Sequence, residues 1–489
     1  MPDEHSVALA GDLDRRLCDH LIRTDGQEDL AFALWTPSRG ARRLTALIHT
    51  PILPGPGDRT VHGNVAFNPV YLERVCKAAM REGCGVCFLH SHPFPGWQGM
   101  SPDDVEAEQR LAGTVAALTD LPLVGMTVGC DGTWSARFWR HVGGRTFERE
   151  WCASVRVVGE LLDVDFCNRL RPRPGRRELF RRTVDVWGDE AYAQLARLTV
   201  GIVGLGSVGS LVAEALARMG MTRLVLIDFD VVRPHNLDRM SIATEEDIGA
   251  LKVDCARERI LKVATAKDPL VRRVPYSVVE EQGYRAALDC DALFSCVDRP
   301  RPRSVVDHMA YGHLVPIVDG GIEVRFRYGE FSGVDWQLQT VGPGRRCLQC
   351  TGVYDPGDVS TEAAGKLDDP SYLKGLPADH HLKRNENVFP FSMNLASLEI
   401  LQLVAMVTGA AGIKSFGVQR FRYVPGIVDV RAAGACEPDC DRADLVGHGD
   451  RHFSLIGRDI GADKVRSELE EGGEVDGTGE AQAEASADS

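Results

Sequence analysis

Three side chains between residues 90 and 104 have the types and spacing of a metal-ligand set. In FLHSHPFPGWQGMSPDD, residues 88–104, His90 and His92 sit two apart on a strand-like run. Strand residues two apart point to one side, so both imidazoles can face one ion. Pro93 ends the strand, and Asp104 falls in the first turn of the next helix. A carboxylate there completes a three-ligand zinc set whose fourth position stays open for water, as hydrolysis requires. The run Ser101-Pro102-Asp103-Asp104 is also an ordinary helix start, with a serine cap, a proline in the first position and acids at the positive end. A bare His-x-His pair is more often two polar strand residues than a ligand pair. The whole pattern, HSHP, seven residues, then SPDD, is far rarer.

A second set surrounds a glycine loop. GLGSVG, residues 204–209, follows the strand-like LTVGIVG and opens a helix. Backbone amides at such a helix start, around Gly204, Gly206, Ser207 and Gly209, attract phosphate. Asp228, about 20 residues on, ends the next strand and suits a ribose hydroxyl. A nicotinamide-dependent oxidoreductase would carry the same two features. Asp230, Asn236 and Arg239 in IDFDVVRPHNLDRM, Lys252 in IGALKVDCARE and Asp298 in FSCVD separate the options. Cations near a phosphate loop suit a triphosphate whose departing pyrophosphate needs neutralising. An acid at a neighbouring strand end suits magnesium. Hydride transfer needs neither. Taken singly, each charge is an ordinary solvated loop residue; the ordered set is what points to chemistry.

Cys347 and Cys350 form CLQC, and Cys436 and Cys440 form CEPDC. Two such pairs can close a tetrahedral thiolate zinc site, which is structural because no position stays open. The other ten cysteines lie mostly in apolar runs and read as buried thiols. Cys84 and Cys87 are spaced CxxC, but strand alternation sends them to opposite faces, so they are not read as ligands.

These residues need a scaffold, and the chain has room for several domains: 489 residues, 44% of them apolar. The expected class is α/β, with an α+β section over 1–150, a linker over 151–178 and a doubly wound Rossmann-like section over 179–457. In the first section AFALW, LTALIHT and GVCFLH read as strands, YLERVCKAAMREG and DDVEAEQRLAG as helices, and LPLVGMTVG and WSARFWR as a hairpin across CDGT. In the second, GIVG, the glycine turn, SLVAEALARMG and RLVLID form a strand–helix–strand unit of a parallel sheet. The formal charge of −14 argues against a nucleic-acid binder. Residues 458–489 are acidic and rich in Gly, Ala and Ser, which predicts a disordered tail. The N-terminus has no signal-peptide core, and the thiols read as cytoplasmic. LASLEILQLVAMVTGAAG carries Glu399 and Gln402 and reads as a core helix, not a membrane span.

The motif HxHP, seven residues, SxxD resembles that of the JAB/MPN (JAMM) metallopeptidases over about residues 20–140. That resemblance implies zinc on His90, His92 and Asp104, with Glu28 as general base and Ser101 aiding oxyanion stabilisation. It implies cleavage behind the C-terminal glycine of ubiquitin-like proteins. The run from GLGSVG through DFD, NLDR, Lys252 and CVD resembles the ThiF/MoeB/HesA superfamily, which includes ubiquitin-activating enzymes, over about 178–455. That implies MgATP-dependent adenylation of a C-terminal glycine. Gly204, Gly206 and Gly209 would shape the nucleotide loop, Asp228 would bind ribose, and Ser207 and Asp230 would also contact the nucleotide. Asn236, Arg239 and Lys252 would contact phosphates, and Asp298 would bind magnesium. Arg182, or Arg181, would reach ATP across a homodimer, and the four cysteines would hold the structural zinc. Activating enzymes of the thioester-forming kind keep a cysteine in the crossover segment; residues 351–435 have none. Ser360 and Thr361 stand in that neighbourhood, with His380 and His381 nearby. An adenylate-only product and a hydroxyl (oxyester) intermediate both remain open.

Together these features predict a bifunctional enzyme of a bacterial ubiquitin-like conjugation pathway. Its partners would be a ubiquitin-like protein and a conjugating-type transferase, with no nucleic acid or membrane. Antiviral conjugation systems use such fused domains. Rival readings are sulfur-carrier activation for cofactor or amino-acid synthesis, a scaffold with one inactive half, and a dinucleotide oxidoreductase.

Overall fold

Alternating apolar strands and amphipathic helices segregate into two large sheets. The structure, a computed structural model, describes residues 3–483 apart from 63, 176–177, 329, 376–386, 410–416, 432–433 and 452–455.

The first sheet is built from β1 (Glu4–Ala10), β2 (Leu30–Arg39), β3 (Arg43–Ile52), β6 (Gly85–Ser91), β7 (Leu123–Val128), β8 (Trp134–Gly143), β9 (Thr146–Trp151), β10 (Ser154–Val158) and β11 (Leu162–Phe166). Their order is β11-β10-β1-β3-β2-β6-β7-β8-β9, while β4 (Arg59–His62) and β5 (Asn64–Phe67) pair as a separate hairpin. Strand alternation splits the apolar residues between two cores. Cys87 and Leu89 face the side covered by α1 (Gly11–Leu21). Cys84, Val86 and Phe88 face α2 (Pro69–Glu82) and α3 (Pro102–Thr119). The two cysteines therefore lie on opposite faces, as alternation predicts.

The second sheet runs β14 (Leu270–Val274), β13 (Arg223–Ile227), β12 (Thr199–Val203), β15 (Ala292–Ser295), β16 (Ile317–Arg327), β17 (Glu330–Val341), β18 (Val418–Arg422), β19 (Ile427–Arg431). The first five strands are parallel and the last three are added antiparallel. Helices α4 (Arg181–Arg197), α5 (Ser207–Arg218), α6 (Lys252–Val263) and α11 (Phe389–Thr408) supply one apolar layer. Helices α7 (Glu281–Ala287) and α8 (Pro300–Gly312) supply the other. Strand order reverses between β13-β12 and β15, so a crevice opens at the carboxyl ends of these strands. Helix α11 is long and apolar but 61% of its most apolar window is buried, and it packs along α5 as a core helix.

Two expected boundaries are corrected. Residues 151–178 are not a linker throughout. Strands β10 and β11 complete the first sheet, with β10 running parallel to β1. Period-2 apolar residues in SVRVV and LDVDF carry that signal, and a boundary at 150 cuts through the sheet they complete. Beyond Phe166 the chain is still pinned: buried Arg171 grips Glu4 at 2.7 Å and donates to the Arg197 carbonyl at 3.0 Å. The tail is not disordered from 458 either. Helix α13 (Ile460–Ala483) begins there with Ala462 and Val465 buried, Val465 beside the loop after β13. Acidic composition prevents independent folding but not docking of a short apolar stripe.

The two sheets share one apolar core. Ala8, Leu47, Val158 and Phe166 pack with Leu198, Val200 and Leu216 across the boundary. A buried ion cluster lies beside it: Asp291 takes Arg43 at 2.6 Å and Arg156 at 2.9 Å.

Candidate functional site

The first cluster forms where β6 ends. His90 and His92 bring their Nε2 atoms within 3.2 Å, and Asp104 Oδ2 lies 3.4 Å from His92 Nε2. Asp104 Oδ1 is 3.7 Å from His90 Nε2, and Glu28 Oε1 is 3.9 Å from His92 Nε2 on the remaining side. Both readings of the SPDD run hold at once. Ser101 caps α3: its Oγ accepts the Asp104 amide, and the Asp104 carboxylate accepts the Ser101 amide at 2.8 Å. The cap fixes the carboxylate that faces the histidines.

Electrostatics prepare these donors. Burial, with Arg137 nearby, pushes His90 down to about 3, so its ring is neutral and offers a lone pair. The hydrogen bond with Asp104, opposed by burial, raises His92. Burial alone would raise Asp104, but hydrogen bonds from His92 and Ser101 outweigh it and hold the carboxyl below the ordinary range. Burial, reinforced by the Asp104 charge, raises Glu28, which suits a proton acceptor. Two imidazole nitrogens and a carboxylate oxygen within 4.8 Å of one another fit a zinc ion with an open position.

One residue of this cluster has no motif to announce it. Asp29, 1% exposed, takes Arg59 from the β4–β5 hairpin through both oxygens, at 2.5 and 2.7 Å. It also accepts the Leu30 amide at 2.8 Å, and its own amide donates to Ser91 Oγ at 3.0 Å. Asp29 thus ties the residue after Glu28 to the strand end carrying the histidines and docks the hairpin beside them. Only an acid at a predicted strand start, paired with an arginine 30 residues away, could have hinted at it.

The second cluster occupies the carboxyl-end crevice. Each loop glycine has its own reason. Gly204 sits at φ +88°, and a Cβ there would meet the Cys296 carbonyl oxygen at 2.6 Å. A Cβ on Gly209 would lie 1.9 Å from the Gly204 oxygen, while one on Gly206 would enter open space, the side free for a phosphate. Ser207 begins α5, and its Oγ accepts Asn387 Nδ2 at 2.9 Å. Asn387, at the entry to α11, is a contact that sequence reading missed. Asp228 accepts the amides of Leu205 at 2.6 Å and Asp230 at 2.8 Å, so it shapes the loop as well as facing the crevice. Lys252 Nζ pairs with Asp230 Oδ2 at 2.6 Å. Burial would lower Lys252, but the charges of Asp228, Asp230 and Asp298 outweigh it and raise it. The Asn236 side-chain Oδ1 accepts the Arg233 amide at 2.9 Å, and Arg239 donates to the His235 carbonyl at 2.6 Å. Three acids around one buried lysine, next to a glycine cradle open on one side, fit magnesium and a phosphate chain.

Arg182 lies exposed in the first turn of α4, outside the cluster of Asp228, Asp230 and Lys252. Ser360 and Thr361 stand on α9 (Pro356–Ala363). Their hydroxyls donate to the Pro356 and Gly357 carbonyls of the same helix, at 3.0 and 2.8 Å. His380 and His381 lie outside the described residues. Cys347, Cys350, Cys436 and Cys440 converge with all four sulfurs within 4.8 Å. The Cys350 amide donates to the Cys347 sulfur at 3.3 Å, and the Cys347 amide donates to the Cys436 sulfur at 3.3 Å, one of the bonds that lower the Cys436 thiol. This set fits a closed, structural zinc.

A family model described as the ThiF family matches residues 180–422. The molybdopterin-synthase adenylyltransferase of Escherichia coli K12 is 30% identical over 146 residues, which is 29% of this chain and 56% of that protein. The SAMP-activating enzyme E1 of Haloferax volcanii is 29% identical over 167 residues, 34% of this chain and 58% of that protein. The chain thus spans just over half the length of these curated relatives. A crystal structure of E. coli MccB with ATP aligns at a TM-score of 0.42 and 16% identity, covering 55% of this chain and 75% of that one. Residues 180–422 are therefore similar to the ThiF family, and the chain to an adenylyltransferase and an activating enzyme over just over half of their length.

Proposed function

We propose that this chain acts twice on the C-terminal tail of a ubiquitin-like protein. One site cleaves behind the terminal glycine, and the other adenylates the carboxylate so exposed. The observation that carries the second activity is the grouping of Gly204–Gly209, Asp228, Asp230, Lys252 and Asp298 at neighbouring strand ends inside the region similar to the ThiF family. In that reaction the glycine carboxylate attacks the α-phosphorus of ATP and pyrophosphate leaves. Lys252, Arg239 and Asn236 hold phosphate oxygens, and Asp298 holds magnesium, which would supply charge neutralisation on the leaving group.

The first activity is supported by the convergence of His90, His92 and Asp104 with Glu28 opposite. Zinc on the three ligands would supply Lewis-acid activation of water. Glu28 takes the proton and delivers it to the departing amine, and Ser101 donates its hydroxyl hydrogen to the developing oxyanion while its lone pair holds the α3 cap.

ATP–pyrophosphate exchange with a ubiquitin-like partner ending in glycine tests adenylation. Exchange that depends on the partner is expected, and Lys252→Ala is expected to lower it by about a hundredfold. No exchange with any ubiquitin-like partner would count against the proposal. A second reading, activation of a sulfur carrier, is favoured by the absence of cysteine from residues 351–435. A thiocarboxylate on the partner, formed in the presence of a sulfur donor and read by intact mass, would select it.

A further inference from the structure

Helix α13 and residues 456–459 before it contact loops that follow the strands of the second sheet. Gly457 donates to the Val279 carbonyl at 2.9 Å, just beyond β14. Arg301, beyond β15, donates to the Arg458 carbonyl at 2.7 Å. Lys464 donates to the Asp368 carbonyl of the crossover segment at 2.9 Å. Val465, 6% exposed, packs against the loop after β13, where Arg233 also pairs with Glu468 at 2.9 Å. Arg466 pairs with Glu280 at 2.6 Å. One segment of the chain therefore ties together the loops after β13, β14 and β15 and the crossover segment. Three of these four are the loops that present Asp230, Asn236, Arg239 and Asp298 or stand next to them. Burial of Val465 does most of the holding, because a partly exposed ion pair contributes little.

We propose that residues 456–471 are a strap that holds the nucleotide-binding loops in one arrangement and sets how long a nucleotide stays bound. The inference rests on the adenylation reading. It adds a positioning element outside the glycine loop and the charged set, made from the segment whose composition reads as disordered.

The test is the dissociation rate of a fluorescent N-methylanthraniloyl ATP with magnesium, chased by unlabelled ATP from the full chain. Val465→Asp places a charge in the seam and is expected to speed release about tenfold or more. Arg466 also pairs with Asp463 at 2.5 Å, and Glu280 accepts the Ser277 amide at 2.8 Å; Arg466→Glu is therefore expected to speed release about threefold, with Glu280→Arg in the same chain recovering part of that increase. Normal binding with unchanged release in both single variants, or a charge swap that restores nothing, overturns the strap. If Val465→Asp fails to fold, judged by circular dichroism, the charge swap decides alone. If the unaltered chain binds no ATP analogue, the adenylation reading falls, and the strap falls with it.

Discussion

His90 and His92 aim their Nε2 atoms at one point, 3.2 Å apart, and Asp104 closes the third side at 3.4 Å from His92. Two imidazole nitrogens and a carboxylate oxygen within 4.8 Å of one another are spaced as ligands of one ion. The unaltered chain is therefore expected to carry two zinc ions, one here and one on the four cysteines. His90→Ala and Asp104→Asn should each remove one equivalent and leave the other, measured by elemental analysis of the purified chain. Glu28→Gln should keep both ions while abolishing cleavage. Loss of zinc in Glu28→Gln would make it a ligand instead of a base.

Asp29 should matter for stability and for acid sensitivity. Asp29→Ala leaves Arg59 unpaired at a mostly buried site and is expected to cost about 2 kcal/mol, read by chemical denaturation. Burial would raise the Asp29 carboxyl, but its bonds to Arg59 and the Leu30 amide outweigh this and lower it. A lowered folded value means the stabilisation is fully present above the unfolded aspartate value of about 3.9 and is lost as pH falls through the folded value. Asp29→Asn should remove that part of the acid transition. Hydrogen exchange should also quicken across 59–67 in the variant, since Arg59 is the hairpin's tether.

Asp291 joins the two halves. It is buried between Arg43, at 2.6 Å from the first sheet, and Arg156, at 2.9 Å. Burial would raise its carboxyl, but the two guanidinium charges hold it well below the ordinary range. Asp291→Ala strands two buried cations and is expected to cost about 3–5 kcal/mol. With a shared apolar core, the unaltered chain should unfold in one transition. The variant should unfold earlier, and a transition still matching the unaltered chain would show that the pair carries no coupling.

Ser360 and Thr361 are expected to be dispensable for adenylation. Their hydroxyl hydrogens are occupied by carbonyls four residues back, and no described base faces them. Ser360→Ala with Thr361→Ala should change stability by less than about 0.5 kcal/mol and leave pyrophosphate exchange intact. A base-labile protein adduct that vanishes in the double variant would instead establish the oxyester route.

Local chemistry was legible wherever it is written in short spans. The His-x-His strand end, the Ser101 cap, the glycine turn and the paired cysteines each depend on period, turn or spacing, which a sequence displays directly. The strands and helices that hold them were legible for the same reason. Three features needed the folded chain. Asp29 acquires its place from Arg59, Asn387 from Ser207, and Asp291 from two arginines more than a hundred residues away in sequence. Pairings across that separation leave no periodic trace, because each partner alone looks like a solvated charge. The tail misled for a related reason. Mean acidity describes whether a segment can fold alone, whereas Val465 finds apolar neighbours on a loop that the rest of the chain has already built.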